Sequence, residues 1–251
     1  MNVHTVNLLG VHVHHITSEN VLAVIDDAIQ SKKKKVLVYV NAHAINLAGS
    51  IPWFRDFLNN ADVAYPDSEG VRFGAWVLGH SLPPQTALTR WIWELAEYCA
   101  SKGYSIFFLG SERHTVEKTV TALRGKYTTI KVVGFHHGFF QKHGSESDNV
   151  VEAINACQPN VLLVGFGMPI QEDWIRRNFE RLNVNVFLTA GSSFEYAAGI
   201  KPVCPPWVSR VGLEWFYRFL HEPRRLFKRY FFGNPKYLAR VLFQRLKNGK
   251  A

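Results

Sequence analysis

Two stretches of this chain carry residue types at spacings suited to chemistry. The first ends in Asp67, which follows the apolar run Val63-Ala64-Tyr65-Pro66 and precedes Ser68-Glu69-Gly70. A carboxylate held at the end of a buried strand suits a general base, which must sit within hydrogen-bond reach of the hydroxyl it deprotonates. Asp also caps helices well, so Asp67 has a second reading as the cap of a helix starting near Glu69. The second stretch, Val161 to Trp174, reads V-L-L-V-G-F-G-M-P-I-Q-E-D-W. It predicts a buried strand, a tight turn at Gly165 and Gly167, and a helix that tolerates Pro169 in its first turn. Gln171 and Glu172 lie on that helix. Its free N–H groups suit a phosphate or diphosphate, although two glycines also fit an ordinary strand-to-helix turn.

Other catalytic sets are poorly supported. The chain has no G-x-S-x-G elbow, no G-x-x-x-x-G-K-[ST] loop and no G-x-G-x-x-G after a strand. It has no D-x-D, so the common metal-bridged way of holding a nucleotide-sugar diphosphate is not visible; basic side chains are the alternative countercharge. His4, His12, His14 and His15 lack a carboxylate partner or a helical i, i+4 pair, which argues against a metal site.

These residues need elements to hold them. Val6–His14 predicts a strand or hairpin, and Ser18 the cap of a helix through Ile29. Val36–Val40 predicts a strand, followed by Asn41-Ala42-His43 and a helix to about Asn59. Further strands are expected at 63–66, 105–109, 130–133, 161–164 and 185–189. Helices are expected over 71–77, 91–101, 112–126 and 150–157. Strands alternating with helices predict an α/β fold, a largely parallel sheet with helices on both faces, Rossmann-like. Polar residues recur after the strands: Asn41 and His43, Asp67 and Glu69, Ser111, His136 and His137, Gln171 and Glu172, Ser192, Ser193 and Glu195. Strand ends share one rim in this architecture, so one cleft is expected to collect many of them.

Of 251 residues, 47% are hydrophobic, ordinary for a globular protein. The three cysteines, Cys99, Cys157 and Cys204, are widely spaced and odd in number, which fits a reducing cytosol. The start lacks the basic and apolar regions of a signal peptide, and no apolar run reaches the roughly 18 residues of a membrane span. Charge is segregated. Lys201 to Ala251 holds twelve Lys/Arg against two Asp/Glu, a balance of +10, whereas the preceding 200 residues hold 17 against 18, a balance of −1. We therefore divide the chain into an α/β core, residues 1–200, and a basic, aromatic-rich C-terminal helical appendage, residues 201–251. Such asymmetry points to a negatively charged partner: a lipid surface, nucleic acid or an anionic substrate. The spacing of Trp215, Phe216, Phe219 and Leu220 is helical, which favours a core-facing or membrane-facing role over base stacking.

The chain resembles the TagA/WecG/CpsF glycosyltransferases, bacterial enzymes that add a sugar to a polyprenyl-diphosphate-linked saccharide. The resemblance runs from about His4 to Leu246. It is carried by Pro66-Asp67 with Gly70-Val71, by Gly134–Phe140 (G-F-H-H-G-F-F), by Gly165–Trp174, by Gly191–Gly199 and by Pro206–Arg225. It implies inverting transfer from a UDP-sugar with no cofactor and no required metal. Asp67 falls on the family's proposed catalytic base, and Asn41 and Gln171 fall on pocket positions. The appendage falls on a segment thought to dock on anionic membrane and close over the site. Its Arg218, Arg224 and Arg225 would then neutralise the diphosphate. The expected partners are thus a UDP-sugar, the lipid-linked saccharide and the membrane, not nucleic acid. The expected location is cytoplasmic, on the inner face of the cell membrane. Whether the chain forms a homo-oligomer is left open.

The sequence departs from the family pattern in four places. Tyr39 replaces a common Thr, Asn41-Ala42-His43 replaces Asn-Pro-Glu, and Asp67-Ser68 replaces Asp-Gly. The loop commonly reading R-V-T-G-T-D is Gln85-Thr86-Ala87-Leu88-Thr89-Arg90. Arg72 and Arg90 are the candidates to supply the missing cation, and His43, Glu172, Gly165 and Gly167 complete the expected binding set. The donor sugar stays open among N-acetylmannosamine, its uronic acid and glucose. A nucleotide-sugar-binding relative without transferase activity and a nucleic-acid-binding protein using the basic tail are the alternatives.

Overall fold

A computed structural model describes residues 4–84, 88–205, 207–208 and 212–248. The chain opens with an antiparallel hairpin, β1 (Thr5–Leu8) and β2 (Val11–His14). Helix α1 (Ser18–Gln30) follows, capped by Thr17, whose side chain accepts from the Asn20 N–H, and not by the expected Ser18, which is its first residue. Strand β3 (Lys35–Val40) leads into α2 (Ala42–Ala48) and α3 (Pro52–Asn60). A single helix was expected here. Gly49 ends the first one and Pro52, with no N–H to donate and a fixed φ, starts the second.

Strand β4 (Val63–Pro66) precedes α4 (Glu69–Val77) and α5 (Leu88–Lys102). Then come β5 (Ser105–Gly110), α6 (Arg113–Lys126), β6 (Lys131–His136), α7 (Ser145–Cys157) and β7 (Val161–Gly165). Helix α8 (Ile170–Asn178), β8 (Val186–Thr189) and α9 (Ser193–Ala197) complete the α/β part. Six strands form one parallel sheet in the order β4-β3-β8-β7-β5-β6. The central strands β7 and β8 are buried at every position, as strands covered on both faces must be. One face packs under α2, α3, α7 and α8 with the hairpin, the other under α1, α5, α6 and α9. The α/β architecture expected from the alternation of elements is therefore the one found.

The appendage comprises α10 (Glu214–His221), α11 (Pro223–Phe227), a π-helical turn (Lys228–Gly233) and α12 (Asn234–Asn248). It is not a detached tail. Helix α12 lies on α2 and α4, and its Tyr237 and Val241 are part of the same buried cluster as Val38, Val40 and Ala64 of the sheet. Gly74 of α4 faces the Tyr237 ring so closely that any β-carbon there would strike it. Polar ties hold the same contact: Asn46 donates to the Gly233 carbonyl at 2.7 Å, and Gln244 accepts from the Leu9 N–H at 2.9 Å. The change in composition at residue 201 thus marks a change of surface chemistry on a shared core.

Candidate active site

The carboxyl ends of the parallel strands form the rim that carries the site. The helices leaving neighbouring strands β5 and β7 go to opposite faces: α6 packs with one cluster and α8 with the other. That divergence opens a crevice between them, the usual ligand position in open α/β sheets. Two adjoining cavities lie along the rim, of about 440 Å³ and about 1030 Å³. His43 and Arg229 line both.

The smaller cavity is built around Asp67. Its N–H continues the β3–β4 ladder by donating to the Val40 carbonyl at 2.9 Å, which fixes the backbone. The capping role open to Asp67 belongs instead to Ser68, whose hydroxyl accepts from the Val71 N–H. The Asp67 carboxylate is therefore free to face the cavity. Asn41 caps α2 by accepting from the Ala44 N–H at 3.1 Å, and its side chain also hydrogen-bonds Asp67. Burial pushes the Asp67 pKa up to about 7, with Glu214 adding to the rise and the Arg218 and Arg229 guanidiniums and Asn41 opposing it. A carboxyl poised there can accept a proton near neutral pH, the property wanted of a general base. Arg218 is held by Glu214 one turn back on α10 and by a 3.4 Å contact to the Thr89 hydroxyl. The His43 ring, whose pKa burial and the nearby Arg229 lower to about 4, is neutral near pH 7.

The larger cavity lies over the ends of β5, β7 and β8, lined by Tyr39, Ser111, Lys142, Gly165, Gly167, Gly191, Glu195 and Arg225 among others. Gly165 and Gly191 let the strand ends close up: a β-carbon on Gly165 would sit 2.9 Å from the Gly191 carbonyl oxygen. Gly167 adopts φ +83°, the left-handed region that glycine enters without steric cost. Lys142 Nζ donates to the Gly138 and Phe140 carbonyls and lies 3.9 Å from the centroid of the Phe140 ring.

Several expected site residues stand elsewhere. Gln171 is fully buried beneath the cavity floor and does not line it. Its Oε1 accepts from the Gly167 N–H at 3.2 Å and the Gly191 N–H at 3.1 Å, so it holds the two glycine turns together. The Gly167 N–H is thereby taken up within the turn, and Pro169 has none, which reduces the phosphate-binding capacity expected of this helix start. Glu172 is sealed in beside Gln171, accepting from its Nε2 at 2.7 Å. Burial pushes its pKa up to about 7, against the pull of the Gln171 hydrogen bond.

Arg72 is tied to Glu69 at 2.6 Å and reaches the Leu82 carbonyl, and it lines neither cavity. Arg90 donates to the Cys204 carbonyl and meets Glu214 at 3.6 Å from behind, so it braces the site without facing it. Arg224 is exposed on α11 and lines neither cavity, whereas Arg218 and Arg225 do line one each. Gln85, Thr86 and Ala87 lie outside the described residues. The His136 and His137 rings lie tilted against each other, centroids 4.4 Å apart, and neither lines a cavity, although His136 packs on Phe140, which does.

Sequence reasoning missed Arg229, Tyr230 and Lys142. Arg229 and Tyr230 sit in the π-helical turn, where one extra residue per turn shifts the face each side chain presents. No periodicity in the sequence marks that shift. Among the described residues no three His, Cys, Asp or Glu gather into a metal-holding group, and no helix is long and apolar enough to cross a membrane.

Comparison with known proteins adds to this geometry. Residues 6–251 match the glycosyl transferase WecG/TagA/CpsF family. The chain is similar to the N-acetylglucosaminyldiphosphoundecaprenol N-acetyl-beta-D-mannosaminyltransferase of Staphylococcus aureus strain MW2. The two are 27% identical over 227 residues, covering 90% of this chain and 88% of the relative. Proteins of the same name from S. aureus strains NCTC 8325 / PS 47 and MRSA252 are 27% and 26% identical over the same shares.

Proposed function

The chain belongs to the WecG/TagA/CpsF family of glycosyl transferases, and from that premise we propose that it moves a hexosyl residue, N-acetylmannosaminyl first among the choices, from a UDP-sugar to a polyprenyl-diphosphate-linked saccharide. The observation that carries this reading is Asp67, held by Asn41 in the small cavity, which adjoins the large one and shares His43 and Arg229 with it. The large cavity has room for a nucleotide-sugar. In the proposed reaction the Asp67 carboxylate takes the proton of the acceptor hydroxyl. The freed oxygen attacks the anomeric carbon from the side opposite the UDP, so the new C–O bond forms as the bond to the diphosphate breaks and the configuration inverts. Arg225, Arg229 and Lys142 border the larger cavity and would balance the charge left on UDP. We read the transfer as metal-independent, a role these cations support.

The membrane enters the same proposal. Phe216, Leu220, Phe231 and Phe232 of the appendage are exposed, with Arg224 and Lys228 exposed beside them. Apolar and cationic side chains together suit the headgroup boundary of an anionic membrane. This would place the enzyme at the inner face of the cell membrane, where a lipid-linked acceptor is presented; neither nucleic acid nor a homo-oligomer is required.

The test is release of UDP by the purified full chain from a panel of UDP-sugars, with and without a short-chain lipid-diphosphate N-acetylglucosamine acceptor. Acceptor-dependent release from UDP-N-acetylmannosamine supports the proposal. Binding of UDP-sugars without transfer to any acceptor sinks it in favour of a silent nucleotide-sugar-binding relative.

A further inference from the structure

The mouth of the Asp67 cavity is apolar on one side, and the apolar surface does not stop at the mouth. Phe73 of α4 and Leu238 of α12 line the cavity. Trp76, one turn further along α4, is 69% exposed, and Leu242, one turn further along α12, is 54% exposed. The two helices run side by side here, with Tyr237 packed at Gly74 and Arg245 donating to the Leu78 carbonyl. Phe73 and Trp76 form a ring pair with centroids 5.6 Å apart, so the strip has a fixed aromatic wall. At the inner end the surface changes to the guanidiniums of Arg218 and Arg229.

A strip with cations at one end and aromatic and aliphatic side chains leading away fits an amphiphile with a phosphorylated head and a hydrocarbon chain. We propose that the groove between α4 and α12 receives the first isoprene units of the lipid-linked acceptor, with its diphosphate at Arg218. This inference rests on the proposed acceptor class and adds to it the route by which the lipid chain leaves the site. Three observations favour the chain over other occupants. The strip is continuous with the cavity that holds Asp67, it has Arg218 where the head group would lie, and it is short. Phe73 to Trp76 and Leu238 to Leu242 each advance only about 5–6 Å along their helices, which suits the first isoprene units and is far less than a bilayer-docking face. Trp215 and Tyr230 form another wall of the same cavity, whereas the exposed Phe216, Phe231 and Phe232 line neither cavity.

Binding to the full chain in solution tests this without needing turnover. Farnesyl diphosphate and inorganic diphosphate are titrated by calorimetry at concentrations below lipid aggregation, with no bilayer or detergent present. Each buried methylene is worth roughly a fourfold gain in affinity. The wild-type protein should therefore bind farnesyl diphosphate at least about tenfold tighter than inorganic diphosphate. In Trp76→Ser/Leu242→Ser that preference should shrink to within about threefold, and in Leu242→Ser alone it should shrink by a smaller factor, while inorganic diphosphate binds as before in both. Both side chains are exposed, so an unchanged circular dichroism spectrum is expected and is checked first.

A wild-type protein that binds the two ligands equally, or neither, overturns the proposal. So does a double variant that keeps the prenyl preference while losing only vesicle pelleting or only self-association in ultracentrifugation; a bilayer or a second copy would then cover the strip. Absence of sugar transfer to every acceptor, with the prenyl preference intact in wild type and lost in the variant, would sink the transferase reading and leave the groove standing.

Discussion

Tyr39 and Gln171 lie 132 positions apart in the sequence and meet in a 3.4 Å hydrogen bond, with Gln171 Nε2 donating to the Tyr39 hydroxyl under the larger cavity. The Tyr39 side chain lines that cavity, and Gln171 does not. The tyrosine is therefore the cavity-facing end of a polar connection whose buried end fixes the glycine turns.

The first prediction concerns that buried end. Gln171→Ala would leave the buried Gly191 N–H without its partner, at a cost of about 1–3 kcal/mol, and would free the part-buried Gly167 N–H at the cavity edge. A chain of this size should then melt roughly 5–10 °C lower. Differential scanning calorimetry checks this. An unchanged melting temperature with lost UDP affinity would return Gln171 to the direct nucleotide contact that its sequence position suggested.

In the proposed reaction Asp67 should set the pH dependence. A base there would work deprotonated, and the Asp67 pKa stands at about 7. kcat/KM should therefore rise with pH through about 7 and level off above about 8. Asp67→Asn should retain UDP binding and lose about a hundredfold or more in turnover, with that rise removed from the residual rate. A folded Asp67→Asn protein turning over near the wild-type rate would eliminate the base assignment.

Glu172 sets a pH dependence of stability, with a sign fixed by its burial. The group is fully buried and its pKa is raised from 4.5 to about 7. Between those values the folded chain holds a proton that the unfolded chain has released, so this contribution to stability falls as pH rises from about 4.5 to about 7 and is flat above. Glu172→Gln mimics the protonated form. It should be as stable as wild type at pH 4 and more stable at pH 8.5, by on the order of 2–3 kcal/mol. Urea unfolding at the two pH values measures the difference, and equal stability at both would contradict the buried-charge explanation.

The arginines should separate into two groups. Arg229 lines both cavities, whereas Arg224 points to solvent on α11. Arg229→Ala should weaken UDP binding and lower kcat/KM by about tenfold or more in detergent, as loss of a charge-assisted phosphate contact would. Arg224→Ala should affect vesicle binding and leave the detergent rate within about twofold. Steady-state kinetics in the two media decides this; equal losses in detergent would place Arg224 at the diphosphate after all.

The sequence by itself determined the alternation of strands and helices, because buried parallel strands must be short apolar runs and their covering helices must be periodic. It also placed Asp67 at the end of β4, since the run Val63 to Pro66 stops there, and it located the cationic appendage by composition. The local chemistry of Ser68, which frees Asp67 from capping, and of Pro52, which divides α2 from α3, was present in the sequence too, but several residues competed for each role. Only the tertiary structure decided which polar groups face the cavities. Gln171 and Glu172 follow a strand end just as Asp67 does, yet the turn at Gly167 aims them under the floor. Arg72, Arg90 and Arg224 have the same charge as Arg229, but a long side chain is directed by what packs around its helix, and carboxylates or solvent claim the first three. The π-helical turn rotates Arg229 onto the rim, and that rotation depends on how α12 docks against α2 and α4, a long-range contact with no signal in local spacing.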